Sequence, residues 1–201
     1  MCSWNLRRIL FVTITAAVVC CLAVPARLAS ASPAKSANVT FTATGTFAAS
    51  PVSGADQLKL SGQPFTITVV GNSSLKPIQH GRNWAIFKPL QMTGTVYSAL
   101  IPGEAVPITS TTAAIDQTVG ATEDIFQSGF PVTVVGIALT VRSHITLPGG
   151  TLSTALLRPF SSVALDSTST TVTYSDTTNS TVLAVQTGTL VATLPSGGAA
   201  K

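Results

Sequence analysis

Hydrophobic and polar residues alternate with a period of two along much of this chain. The clearest case is NVTFTATGTF, residues 38–47, where threonines occupy every second position between Val39 and Phe47. Such alternation predicts a β-strand with one buried face and one polar face. No stretch long enough for a helix repeats its hydrophobic residues with the 3.6-residue period that an amphipathic helix requires.

Similar patterns predict further strands at about 65–70, from Trp84 to Leu100, within 105–119, and at about 170–175 and 181–194. Residues 130–150 carry the strongest core signal, and we expect one long strand there with a bulge or bend at Gly136. The segment GATEDIFQSGFP at 120–131, which follows the strand region at 105–119, is expected to contain a short helical turn, with Thr122 as its N-cap.

Short strands separated by turns, with no room for crossover helices, predict an all-β protein with antiparallel pairing. No significant helix is expected outside the signal peptide described below. We favour an antiparallel β-sandwich, with a β-barrel as the alternative. The alternation does not give the order of the strands in a sheet.

The N-terminus has the layout of a secretory signal peptide. Arg7 and Arg8 precede an apolar run from Ile9 to Val24, and small residues follow at 29–31. We therefore divide the chain into a signal peptide at 1–31, a flexible segment at 32–37, a single β-domain at 38–195 and a disordered tail at 196–201. The expected location is secreted, periplasmic or extracellular, as in a bacterial exported domain.

Removing residues 1–31 changes the composition of what remains. All three cysteines leave with that segment, so the mature chain is expected to be cysteine-free and rich in threonine. Three arginines leave as well, so the formal net charge drops from +4 to +1. So small a charge argues against nucleic acid as a partner, and no membrane association is expected after signal cleavage.

Motifs that carry catalytic or metal chemistry are missing from the sequence. There is no HxH or HExxH spacing, no GxSxG nucleophile elbow and no phosphate-binding loop. The adjacent Glu123 and Asp124 are interpreted as solvated residues or a helix start, rather than as half of a calcium site. His144, beside Arg142, is interpreted as a polar residue on the outer face of its strand. We therefore assign no catalytic residue, metal site or cofactor.

One stretch is richer in chemistry than the rest: IQHGRNWAIFKPL, residues 78–90. It supplies the candidate ligand-binding residues His80, Arg82, Trp84 and Lys88. An aromatic ring beside cationic side chains can recognise a glycan or a small anion by stacking and by charge-assisted hydrogen bonds. The competing interpretation is that Trp84 is the main core side chain and the loop before it is merely polar.

These observations favour a secreted, non-enzymatic β-sandwich module with a surface, assembly or ligand-binding role. Self-association through strand edges is a further expectation, because few lysines protect them. The alternative is a small secreted enzyme, a hydrolase or isomerase, that uses the region of His80, Arg82 and Trp84. That alternative requires a partner such as Tyr97 or a distant carboxylate.

Overall fold

The computed structural model describes residues 37–194, which form ten β-strands and no helix. The all-β prediction is therefore confirmed. No helix that could cross a membrane occurs in that part of the chain. The predicted signal peptide, nearly all of the segment at 32–37 and the tail at 196–201 lie outside the described residues. The strands are β1 (Asn38–Phe47), β2 (Pro64–Asn72), β3 (Gln79–His80), β4 (Trp84–Tyr97), β5 (Ala105–Thr118), β6 (Glu123–Val134), β7 (Ile137–Pro148), β8 (Phe160–Asp166), β9 (Thr170–Ser175) and β10 (Ser180–Thr193).

Eight of these strands close into an antiparallel barrel in the order β1-β2-β4-β5-β6-β7-β9-β10, and β10 pairs back onto β1. The two remaining strands are additions, since β3 pairs with β4 and β8 pairs with β10. The sandwich that the sequence favoured is thus corrected to the barrel alternative. The reason is the contact between the first and last strands, which runs from Thr40 opposite Thr193 to Phe47 opposite Val185. Alternation within a strand shows that one face is buried. It does not show whether that face packs against a second sheet, as in a sandwich, or against the opposite wall of the same closed sheet, as in a barrel.

The barrel encloses the hydrophobic core, because its eight strands turn alternate apolar residues inward. In β1 these include Val39, Phe41 and Phe47, as the alternation predicted. At the seam of the barrel, Gly45 of β1 pairs with Gly188 of β10. A Cβ on Gly45 would lie 2.5 Å from the backbone oxygen of Thr187. The two strands therefore approach closely because neither glycine carries a side chain.

The segment at 130–150 is a β-hairpin and not the single long strand that we expected. Strands β6 and β7 pair from Glu123 opposite Pro148 to Val134 opposite Ile137. Val135 and Gly136 form the two-residue turn between them, with φ angles of 49° and 78°. Positive φ at both positions is the geometry of a type I′ turn, which suits the twist of a hairpin.

The expected helical turn at 120–131 is also corrected, because β6 begins at Glu123. Asp124, Phe126 and Ser128 are buried, and the residues between them are more exposed. The sequence of this segment contains the period-2 pattern. The acidic pair Glu123 and Asp124, at its beginning, nevertheless resembles the first turn of a helix. The structure gives Asp124 a different role, described below.

Two long loops add apolar residues to the core. The loop at 48–63 buries Leu58 and Leu60, and the loop at 149–159 buries Leu152 and Leu157. Leu157 packs against Gly71 at the end of β2. The loops therefore extend the core beyond the strands themselves.

The barrel wall opens between β5 and β6. These strands pair only from Ala114 to Thr118 on β5, so the preceding part of β5 separates from residues 130–134 of β6. Each separated edge carries an exposed proline, Pro107 on β5 and Pro131 on β6. A proline has no backbone N–H to offer another strand, which makes these edges poor templates for pairing. Self-association through strand edges stays a prediction.

A half-buried carboxylate in the first loop, that of Asp56, makes stability depend on pH. Burial raises the pKa of Asp56, but hydrogen bonds from Ser61, Tyr174 and Leu60 lower it by more, so its pKa lies below the usual value. A carboxylate with a lowered folded-state pKa stabilises the fold above its unfolded pKa, and this contribution is lost as the pH falls through the folded value. We expect the free energy of unfolding to decrease as the pH is lowered past about 4. This decrease should be larger in the natural chain than in Asp56→Asn.

Urea denaturation of both chains at neutral and acidic pH measures this difference. Asp166 and Asp176 also have lowered pKa values, but both chains keep them, so only the Asp56 contribution separates the curves. Equal losses on acidification in the two chains would contradict the assignment to Asp56.

Candidate functional site

The candidate stretch forms a small hairpin on the side of the barrel. Gln79 and His80 of β3 pair with Ile86 and Ala85 of β4. The Gly81 N–H donates to the Trp84 backbone oxygen at 2.8 Å, which closes the turn. Arg82 lies within that turn and is exposed.

The hairpin separates the candidate residues onto different faces. Ala85 and Phe87 are fully buried and point into the barrel. Because side chains alternate along a strand, Trp84 and Lys88 point outward. The Trp84 side chain is 37% exposed, so Phe87, and not Trp84, is the large core side chain of this strand.

His80 lies on the face opposite to Trp84, because it pairs directly with the inward-facing Ala85. It borders a cleft of about 390 Å³, together with Lys76, Pro77, Thr154 and Ala155. No carboxylate lines this cleft. Tyr97, a conceivable catalytic partner, lies at the other end of β4, about 40 Å away along the strand.

Strand pairing brings distant polar residues to the outward face that carries Trp84. Asp116 of β5 pairs with Ile86 on one side and with Gln127 of β6 on the other. Gln127 pairs with His144 of β7, and its side-chain amide donates to His144 Nδ1 at 2.9 Å. We call Trp84, Asp116, Gln127 and His144 the outer platform.

The outer platform has the dimensions of a small extended surface. Its residues span four neighbouring strands, about 14 Å at the usual spacing between strands. Trp84 is a diagonal neighbour of Asp116, a separation of about 7–8 Å that an aromatic ring can bridge. Lys88 and Arg142 are exposed on the same face, further along β4 and β7. The platform is therefore flanked by positive charge.

Asp116 is a half-buried carboxylate with one oxygen that lacks a hydrogen-bond partner. Its Oδ1 atom is buried and accepts no hydrogen bond from any described residue. Burial raises the pKa of Asp116. By contrast, the carboxylates of Asp56, Asp124, Asp166 and Asp176 accept backbone N–H groups of turns and loops. The Asp116 side chain as a whole is half-buried and borders the surface beside Trp84, whereas its Oδ1 atom lies beneath that surface.

The Trp84 ring is held in place by the turn before it. A Cβ atom added to Gly81 would collide with the indole nitrogen and the neighbouring ring carbons. The turn backbone therefore packs directly against the edge of the ring. A ring fixed in this way loses little conformational freedom when a ligand stacks on its exposed part.

Gly81→Ala is expected to displace the indole of Trp84 with little effect on folding. Gly81 does not have the positive φ that only glycine adopts easily, so the added methyl group acts mainly through the clash with the ring. The tryptophan emission maximum should shift while the unfolding free energy changes by less than about 1 kcal/mol. Gly129→Ala, where a Cβ has ample space, is the matched control. An unchanged spectrum in Gly81→Ala would contradict the packing described.

Only part of this arrangement can be predicted from the sequence. Trp84 was singled out, and His144 was correctly placed on an outer face, but nothing linked them. The sequence predicts no role for Gln127, because its segment is expected to contain a short helical turn. The alternation that begins at Asp124 was the signal that could have placed Gln127 outward.

Within residues 37–194, no group of three His, Asp or Glu side chains is arranged to hold a metal ion. Comparison with protein-family models, with curated proteins and with solved structures finds no match to this chain.

Proposed function

We propose that this protein is a secreted, non-enzymatic binding module that captures a glycan on its outer platform. The observation that carries this proposal is the exposed, fixed ring of Trp84 beside the half-buried carboxylate of Asp116. A sugar has an apolar ring face, which stacks on an indole, and hydroxyl groups around its rim. Those hydroxyl groups can donate to Asp116 and exchange hydrogen bonds with Gln127 and His144.

The open shape of the surface supports capture more than catalysis. Trp84, Gln127 and His144 project from the outside of a barrel, where water is not excluded from a reacting group. The flanking charges of Lys88 and Arg142 favour a glycan with acidic substituents over a cationic one.

Calorimetric titration with a panel of neutral and acidic oligosaccharides tests the proposal. The affinity for a ligand that binds the natural chain should fall about ten-fold or more in Trp84→Ala, as expected when an aromatic stacking residue is lost. Gln127→Ala and His144→Ala should each weaken binding by less. His80→Ala is the matched control, because His80 faces away from the platform. Binding that survives Trp84→Ala would refute the platform as the site.

A second candidate is a small-anion site in the cleft bordered by His80. Lys76 and His80 both line it, with the Thr154 side chain beside them and no carboxylate. Titration with phosphate and sulfate tests this function separately. Lys76→Ala should weaken anion binding and leave glycan binding unchanged, whereas Trp84→Ala should do the reverse.

A further inference from the structure

Strand β8 forms an open edge of the sheet. Within residues 37–194 it pairs with β10 alone, from Phe160 opposite Ala192 to Asp166 opposite Thr187. Its other side therefore presents backbone N–H and C=O groups with which no described strand pairs. Unlike the separated edges of β5 and β6, β8 contains no proline or lysine that would oppose the addition of another strand.

A groove of about 710 Å³ lies beside this open edge. Residues 160–164 of β8 line it, together with Pro148, Gly150 and Thr151 where β7 ends. Strand β7 pairs with β9 only as far as Ile145, so its last residues have no described strand on this side. The volume of the groove is within the range of ligand-binding clefts.

The lining of the groove combines apolar and polar groups. Phe160 and Val163 are half-buried, and each borders the groove. The Phe160 ring packs against Phe41 of the core, with ring centroids 6.0 Å apart. Ser161 and Ser162 are exposed beside them. The groove therefore offers an apolar surface for a side chain next to hydroxyl groups and free backbone groups.

Arg158 gives the groove a positive charge. Among the described residues that line the groove, it is the one charged residue, and it is exposed. An anionic ligand group can pair with its guanidinium without competition from a carboxylate in the groove. The segments of this chain at 1–36 and 195–201 contain no aspartate or glutamate. Neither segment therefore supplies a side chain that complements Arg158.

A β-bulge in β8 bears on the kind of partner that fits the edge. Residues 161 and 162 lie together opposite Val191 of β10, because the register shifts between Leu190 and Ala192. A bulge bends its strand and interrupts regular pairing. A short, flexible peptide can follow such an edge, whereas the rigid edge of a second barrel cannot pair along it in register.

From these features we infer that the groove beside β8 binds a short, extended peptide that carries an acidic side chain. The peptide backbone adds to the open edge of β8 through hydrogen bonds, which is the mode of β-strand addition. One apolar side chain packs against Phe160 and Val163, and the acidic side chain pairs with Arg158. This site does not depend on the outer platform, and the two functions can fail separately.

Fluorescence anisotropy with labelled hexapeptides tests this inference. The probes alternate threonine with valine and carry either glutamate or lysine at one end. At low ionic strength, the natural chain should bind a glutamate peptide about five-fold more tightly than its lysine counterpart. Arg158→Glu should reverse this preference, whereas Arg142→Glu, the same change at an exposed arginine outside the groove, should retain it. No saturable binding, or an unchanged preference in Arg158→Glu, would overturn the proposal.

N-methylated peptides test the strand addition itself. Only alternate residues of an added strand direct their N–H groups toward β8. N-methylation at one set of alternate positions should therefore abolish binding, and at the other set it should be tolerated. Equal losses from both sets would overturn the proposal.

Two further measurements separate this site from the alternatives. Trp84→Ala should bind the glutamate peptide as the natural chain does, whatever its effect on glycan binding. Light scattering of the natural chain without peptide should show no dimer that Arg158→Glu disrupts. Such a dimer would assign the groove to a second copy of the chain and overturn the proposal.

Discussion

Replacing Phe87 with alanine is expected to destabilise the protein by about 3–5 kcal/mol, whereas replacing Trp84 should cost only about 1 kcal/mol. The two aromatic residues are three positions apart on β4, so the backbone places them on opposite sides of the barrel wall. Phe87 is fully buried, and its loss leaves a cavity in the core. Trp84 packs only partly against the protein and is 37% exposed.

Urea denaturation monitored by circular dichroism gives both free energies on one scale. Lys88→Ala provides the control on the same strand, because Lys88 is exposed and its truncation should change stability by less than about 0.5 kcal/mol. If Trp84→Ala proved the more damaging of the two aromatic substitutions, Trp84 would be the core anchor and the outer platform would be withdrawn.

Asp124→Ala should cost about 2–5 kcal/mol, a loss that its sequence context does not suggest. Asp124 is fully buried, and its two oxygens accept the backbone N–H groups of Gly120 at 3.1 Å and Leu152 at 2.7 Å. Each donor left without a partner in the interior costs about 1–3 kcal/mol. The carboxylate therefore joins the β5–β6 turn to the loop that follows β7.

The neighbouring Glu123 is the control for this prediction. Glu123 is exposed, and Glu123→Ala should change stability by less than about 0.5 kcal/mol. Thermal and urea unfolding of both variants provide the comparison. Equal effects at the two positions would mean that Asp124 does not anchor the loop.

The strand content was readable from sequence because burial on one face leaves a period-2 pattern, as in β1 and β10. The β6–β7 hairpin was missed for a specific reason. A β-branched residue such as Val135 rarely adopts positive φ, so the Val135-Gly136 pair does not resemble the Asn-Gly turn that usually marks a two-residue hairpin.

Closure of the barrel and assembly of the platform depend on contacts between distant segments. Pairing of β1 with β10 joins residues about 140 positions apart, and no local pattern specifies it. The same holds for the platform. Trp84 and His144 lie on one face only because β5 and β6 pair between their strands. The sequence therefore indicates Trp84 and Lys88, which lie on the same face, but it groups them with His80, which lies on the opposite face.

Acrylamide quenching of Trp84, with and without a bound glycan, tests the central claim most directly. A Trp4→Phe chain leaves Trp84 as the sole tryptophan. The outer platform predicts efficient quenching of the free protein, because the indole is 37% exposed, and protection once an oligosaccharide stacks on the ring. If Trp84 were already shielded from acrylamide in the free protein, or if it stayed equally quenchable with saturating glycan bound, the result would contradict the outer platform as the binding site.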